Sequence, residues 1–246
     1  MTNFYVLPQD VDGDRVLFRG DEARHICAVH RKTVGDMVNA VDGEGNELTV
    51  ILEQVSPEGC AGRLIRQRRK SREPISRVTL AQAITKGSKL DMVIQKGTEL
   101  GIHRFVPMIT EHTTVAPDKG SSAKKQERWQ KIAIGAMKQS LRSHLPQVAP
   151  LVRFEQVLAE AGRADVALLA SVVKDARGLD RILEQYGAPR DVLLLVGPEG
   201  GFSSEEISQA VNRGIFLVSL GPRRLRAETA GILLAGLVLF RLGELG

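Results

Sequence analysis

The amino-acid sequence predicts a small, mostly β domain over residues 1–70, followed by an α/β domain with a parallel sheet over residues 75–246. Three observations carry this. Residues 4–65 hold short runs with period-two alternation and turn signals. Residues 63–74 lose apolar periodicity and close on the helix breaker Pro74. From residue 78 onward, runs rich in Val, Ile and Leu alternate with helical patterns. Strands covered on both faces read as continuous apolar runs, and intervening helices make them parallel.

The 246 residues, 43% of them apolar, suffice to fill two cores. No apolar run is long enough to span a bilayer, and the opening Met1-Thr-Asn-Phe-Tyr5 lacks the basic and apolar regions of a secretory signal. The expected location is the cytoplasm. Cys27 and Cys60 fit no metal site and are expected as free structural thiols in a reducing compartment. Thirty-four Lys and Arg against 29 Asp and Glu give a net charge of +5, and the excess is uneven: six basic residues and no acid lie between Arg63 and Arg72. Such a run is either a solvated linker or a phosphate contact that gains affinity by counterion release.

In the first domain, Val16, Leu17 and Phe18 form a strand ahead of a turn at Gly20. A helix capped by Asp21 runs to Arg31 with Ala23, Ile26 and Cys27 on its apolar side. After Asp42-Gly43 and Glu44-Gly45-Asn46, Leu48, Val50 and Leu52 alternate with Thr49, Ile51 and Glu53. Short strands with one helix predict a small β-barrel.

In the second domain, 78–84 is a strand. Ser88 and Asp91 have the spacing of a capping box for a helix carrying Leu90, Val93, Ile94 and Leu100 and ending at Gly101. Strand 105–109 and a polar loop, 110–122, precede a long helix to about His144 with Trp129, Ile132, Ala133, Ala136, Met137 and Leu141 at helical spacing, stopped by Pro146. Then come helix 154–161, strand 166–170, helix 179–186, strand 192–196, a helix capped by Ser203 with Glu206 at its third position, strand 215–220 and a last helix from about Glu228.

Two glycine-rich loops follow strands of this domain. The first, after an apolar run, is Gly197-Pro-Glu-Gly-Gly-Phe202; the second is Gly221-Pro-Arg-Arg-Leu-Arg-Ala-Glu228. Neither is a GxGxxG fingerprint or a Walker loop, which disfavours a dinucleotide or a nucleoside triphosphate. In open parallel sheets, ligands bind beyond the carboxyl ends of the strands. Glycines there leave backbone groups free to meet a planar polar ring, and Arg223, Arg224 and Arg226 suit a phosphate or nucleobase. The plainer alternatives are two tight turns, solvated arginines, and Glu228 as an acid favoured at a helix N-terminus.

The chain resembles the bacterial 16S ribosomal RNA uracil-N3 methyltransferases of the SPOUT superfamily. The resemblance extends over nearly its whole length, through Lys96-Gly-Thr-Glu-Leu-Gly101, Lys138-Gln-Ser-Leu-Arg142, Gly197-Pro-Glu-Gly-Gly-Phe-Ser203 with Glu206, and Leu220-Gly-Pro-Arg-Arg-Leu-Arg-Ala-Glu-Thr-Ala230. It implies a PUA-like barrel for RNA and a methyltransferase domain with a trefoil knot, a topology that general connection rules would argue against. It further implies a homodimer, with 16S ribosomal RNA or the small subunit as partner and no membrane. S-adenosylmethionine is the implied cofactor, met by Leu195, Val196, Gly197, Glu199, Gly200 and Gly201 in the first loop. In the second loop the contacts are Leu220, Gly221, Pro222, Arg223, Arg224 and Leu225, with Leu169 and Ala170 at the preceding strand end. Two positions depart from the family pattern, Asn3 in place of an arginine and His30 in place of a leucine before Arg31.

Methylating N3 of a uracil requires removal of its proton and stabilisation of charge on O2 and O4. Arg226 is the candidate for the second task and Glu228 or Glu199 for the first. Arg31, Arg66, Arg68 and Arg69 are the candidate RNA contacts. No metal is expected, because methyl transfer from a sulfonium needs no Lewis acid. The alternatives are ribose 2′-O-methylation of RNA, or a non-catalytic RNA-binding assembly factor.

Overall fold

The structure is a computed structural model in which residues 3–69, 72–114, 122–173 and 176–245 are described. The chain divides into two compact units, Met1–Glu73 with Ile134–Leu145, and Pro74–Ala133 with Pro146–Gly246. Residues 134–145, assigned by sequence to the second domain, therefore cluster with the first unit. Buried charges explain this, since such groups are kept only when paired. Arg142 donates to Glu73 Oε2 at 2.7 Å, the amides of Ser143 and His144 donate to Glu73 Oε1 at 2.8 and 3.0 Å, and Lys138 Nζ meets Glu22 Oε1 at 2.5 Å.

The first unit contains β1 (Phe4–Tyr5), β2 (Val11–Asp12), β3 (Arg15–Arg19), α1 (Gly20–Arg24), β4 (Met37–Val41), β5 (Asn46–Val55) and β6 (Gly59–Arg69). Its sheet runs β1-β4-β5-β6-β3-β2, antiparallel except where β1 meets β4. The expected alternation in β5 holds, with Leu48, Val50 and Leu52 buried beside Phe4, Phe18 and Ile26. The helix departs from expectation. Arg19, not Asp21, is its N-cap and makes no side-chain cap; Asp21 pairs instead with Arg24. A π-helical turn, His25–Val29, follows, and Arg31 at φ 49° closes it in the left-handed region, as helix C-termini commonly do. Asn3 is buried with its amide on the Lys138 carbonyl, and His30 lies edge-on to Phe4. Cys27 and Cys60, which no sequence pattern pairs, bring their sulfurs 3.6 Å apart, and burial pushes the Cys60 thiol up to about 11.

The second unit begins with β7 (Arg77–Ala83), α2 (Lys89–Leu100) and β8 (Arg104–Ile109). After α3 (Ser122–Gln139), whose residues up to Ala133 belong here, come β9 (Gln147–Val148), β10 (Val152–Arg153), α4 (Phe154–Glu160) and β11 (Val166–Ala170). The chain continues through β12 (Arg177–Gly178), α5 (Leu179–Leu183), β13 (Asp191–Val196), α6 (Ser204–Asn212), β14 (Phe216–Ser219) and α7 (Ala227–Arg241). The sheet order is β10-β8-β7-β13-β11-β14-β12, with β9 beside β8, and every pairing is parallel. The apolar runs at β7, β11 and β13 occupy its middle, where Leu80, Leu168, Leu169, Leu194 and Leu195 are fully buried.

Three local readings change. Ser88 stands at the N-cap of α2 without a side-chain cap, because Asp91 is engaged by Trp129 Nε1 at 3.1 Å and by Arg128. Helix α3 stops at Gln139 rather than near His144, since Leu141 adopts φ 60°, which a helix cannot continue. Helix α5 ends at Leu183, short of Tyr186, whose ring packs on Phe216 instead.

Candidate functional site

Because Leu169 pairs with both Leu195 and Leu217 in parallel register, the carboxyl ends of β11, β13 and β14 lie side by side. The loops that leave them, with the start of α7, enclose a cavity of about 180 Å³, far more than the roughly 10–15 Å³ that one water needs. Its walls combine the backbone of both glycine loops with the apolar side chains of Val196, Phe202, Ile207, Leu220 and Leu225, and Arg223 and Arg224 reach it from the second loop.

Of the residues singled out by sequence, Ala170, Val196, Gly197, Glu199, Gly200, Gly201, Leu220, Gly221, Arg223, Arg224 and Leu225 line this cavity. Leu169 and Leu195 do not: both are fully buried in the sheet core. Pro222, Arg226 and Glu228 are also absent from the lining, although Ala227 and Ala230 of α7 belong to it. Sequence reasoning missed Ser171, Val172, Val173, Phe202 and Ile207, along with Ala227 and Ala230. The apolar pair Val172-Val173 directly beyond a buried strand was a usable signal; Ile207 looked like any core residue of a helix.

The first loop is held from several sides. Pro198 O accepts from Gly201 N at 2.9 Å, closing a turn in which Gly201 takes φ 73°, a conformation that favours glycine. The predicted capping box is formed: Ser203 Oγ accepts from Glu206 N at 3.2 Å, and Glu206 Oε2 accepts from Ser203 N at 2.9 Å. Glu206 Oε1 also takes the amide of Glu111 at 2.9 Å. His112, unmarked by any sequence motif, brings Nδ1 to 3.2 Å from the carbonyl oxygens of both Gly200 and Gly201. A Cβ at Gly200 would sit 3.0 Å from that of His112, so glycine lets the imidazole reach these carbonyls. Lys89 donates to Glu199 at 2.5 Å and holds its carboxyl below the usual range.

The second loop is barely tied. Gly221, at φ 99°, donates its amide to Ser219 Oγ at 3.3 Å. Arg223, Arg224 and Arg226 are exposed, and among the described residues none pairs with a carboxylate. Arg226 is the N-cap of α7, and Glu228 in the first turn has Oε2 buried without a hydrogen-bond partner among the described residues. A half-apolar cavity with free backbone groups and a cationic rim suits a ligand that is part planar ring, part aliphatic chain, beside an anionic partner.

In the first unit Arg31, Arg66, Arg68 and Arg69 are all exposed. Successive residues of a strand face opposite ways, so Arg68 and Arg69, opposite Glu47 and Asn46 of β5, serve different faces of β6.

A family model described as an RNA methyltransferase domain matches residues 71–239, and one described as an RNA methyltransferase PUA domain matches residues 18–65. The chain is 34% identical over 215 residues to the ribosomal RNA small subunit methyltransferase E of Bacillus subtilis, covering 86% of this chain and 84% of that one. To the protein of the same name from Synechocystis it is 36% identical over 226 residues, covering 92% and 73%. The crystal structure of the ribosomal RNA small subunit methyltransferase E of Neisseria gonorrhoeae, bound to S-adenosyl methionine, matches with a TM-score of 0.87 at 29% identity over 98% of each chain. The SPOUT-type α/β fold with a PUA-like first domain is therefore the fold of this chain. The chain belongs to the RNA methyltransferase family of the ribosomal RNA small subunit methyltransferase E proteins.

Proposed function

We propose that the protein transfers a methyl group from S-adenosylmethionine to N3 of a uridine in 16S ribosomal RNA. The single observation that carries this is the cavity formed by both glycine loops at the carboxyl ends of β11, β13 and β14, in a chain of this family. The lining fits the cofactor: apolar side chains for its aliphatic parts, backbone groups for its adenine. When bound, it supplies an electrophilic methyl on sulfur. Leu169, Ala170, Leu195, Val196, Gly197, Glu199, Gly200 and Gly201, with Leu220, Gly221, Pro222, Arg223, Arg224 and Leu225, are the proposed cofactor contacts. Leu169, Leu195 and Pro222 act through backbone or support rather than as lining.

Arg226, exposed beside the cavity, is the proposed stabiliser of charge on the uracil oxygens. Of the two glutamates, Glu199 is the weaker base because Lys89 holds it ionised. Glu228, with an oxygen that no described residue engages, is the proposed proton acceptor. Uracil N3 is paired in duplex RNA, so the target base must be unpaired or flipped out. The PUA-like domain over residues 1–70, through Arg31, Arg66, Arg68 and Arg69, holds flanking phosphates. A homodimer is supported by the exposed apolar residues Leu233, Leu237 and Phe240, which recur at helical spacing on α7. No described helix is long and apolar enough to cross a membrane, and the proposed location is the cytoplasm.

The test is to incubate the protein with S-adenosylmethionine and unmodified small subunits or 16S RNA, digest the RNA to nucleosides and identify the product by mass spectrometry. N3-methyluridine is expected. A 2′-O-methylated nucleoside would move the reading to ribose methylation, and no methylation with no cofactor binding would leave only an RNA-binding role.

A further inference from the structure

Gln82 lies at the carboxyl end of β7, only 2% exposed, and neither its Nε2 nor its Oε1 has a hydrogen-bond partner among the described residues. A buried amide with both ends open is rare and needs a reason. The neighbouring helix has been shaped around it. Glycine is disfavoured inside a helix, yet α7 carries Gly231, where a Cβ would overlap Gln82 Oε1 and stand 3.4 Å from its Cδ. Three residues earlier on α7 is Glu228, whose Oε2 is the other unpartnered buried oxygen of this region.

Residues three apart share a helix face, with about 5–6 Å between Cβ positions, within the combined reach of a glutamine amide and a glutamate. The two groups are complementary, one a donor and the other an acceptor, and although neither lines the cavity, each adjoins residues that do. Val196, the strand partner of Gln82, lines it, as do Ala227 and Ala230 on either side of Glu228.

We propose that Gln82 is a positioning residue for methyl transfer: its Nε2–H donates to the Glu228 carboxylate in the substrate-bound enzyme and aligns that carboxylate on the N3 proton, with Gly231 making room for the amide. This rests on the N3-methylation reading above. In the step it serves, the N3–H bond breaks and the proton passes to a Glu228 oxygen. The N3 electron pair forms the new bond to carbon while the sulfur–methyl bond breaks with its pair left on sulfur. Glu228 then returns its proton to solvent.

The experiment is a double-mutant cycle with Gln82→Met and Glu228→Gln, reading kcat and KM for RNA, the pH profile of kcat, cofactor affinity by calorimetry and the thermal midpoint. Gln82→Met should keep cofactor affinity and lower kcat about tenfold. Its acid limb should move to higher pH, because a donor that favours the ionised carboxylate is gone. In the Glu228→Gln background the same substitution should add nothing. A further tenfold loss there, or weakened cofactor binding at unchanged kcat, overturns the proposal. If Gln82→Met does not fold, Gly231→Ala, which displaces the amide with a methyl, takes its place in the cycle with the same expectations. Nucleoside analysis of the wild-type product separates the two failures. Absence of N3-methyluridine sinks the functional reading, whereas its presence with an additive cycle sinks only the role of Gln82.

Discussion

The two glycine loops, adjacent in space and alike in sequence, differ in what holds them. The first is fastened at four points: by its own turn, by the Ser203–Glu206 box, by His112 on the Gly200 and Gly201 carbonyls, and by Lys89 on Glu199. The second is tied by the bond from Gly221 to Ser219, and its arginines stand in solvent. A preformed wall faces a wall with free cations. Binding energy from a preformed surface is not spent on ordering it, whereas unpaired arginines are available to any anion that arrives. The first loop therefore belongs to the cofactor pocket, and the second to cofactor and RNA together.

If this division is right, the largest effect on turnover comes from the looser loop. Arg226→Ala should lower kcat by about 10²–10³-fold, the usual loss when one donor to a developing oxyanion is removed. Cofactor affinity should hold, and stability should change by no more than about 0.5 kcal/mol, because Arg226 is exposed and caps nothing with its side chain. Single-turnover rates at saturating RNA and cofactor measure this. Near-normal turnover would assign Arg226 to solvent.

The tighter loop answers in stability instead. Glu206→Ala removes the acceptor for two amides, those of Ser203 and Glu111, from a residue that is 7% exposed. Loss of the cap together with a stranded amide should cost about 2–3 kcal/mol, read as a lower midpoint in denaturant unfolding. Arg224→Ala measured alongside should stay within about 0.5 kcal/mol. Equal costs for the two would erase the distinction between the loops.

What could be read from the sequence follows the same line between local and distant causes. The strand ends, both glycine turns and the Ser203–Glu206 box are written within a few residues, and their periodicity and spacing revealed them. Where a distant partner decides, local reading failed. Asp91 has the spacing of a capping box but serves Trp129, 38 residues away. The end of α3 is set by Leu141 turning left-handed where Arg142 and the Ser143 amide meet Glu73, about 70 residues earlier. His112 follows a strand in a polar loop with no motif of its own, and only the fold brings it to Gly200. Within the site, the glycine positions of the two loops were legible because glycine is demanded there, and Gln82 was not, because one buried amide in a mostly apolar strand has no pattern around it.

The smallest expected effect isolates one fastening of the first loop. Lys89 is the leading cause of the depressed Glu199 carboxyl. A carboxyl whose folded value lies below its unfolded one adds stability that is fully present above the unfolded value and is lost as pH falls through the folded one. The reference value is 4.5, so the contribution should fade below about pH 4.5. Lys89→Ala should therefore destabilise slightly at pH 7, and the gap from wild type should narrow as the pH falls below about 4.5. Side chains that are 33% and 45% exposed are screened by water, which keeps the gap below about 1 kcal/mol. Denaturant midpoints at several pH values measure it. A gap that stays constant through this range would mean that Lys89 supports the loop by packing of its aliphatic stem, and the first loop would then owe its polar fastening to its own turn, His112 and Glu206.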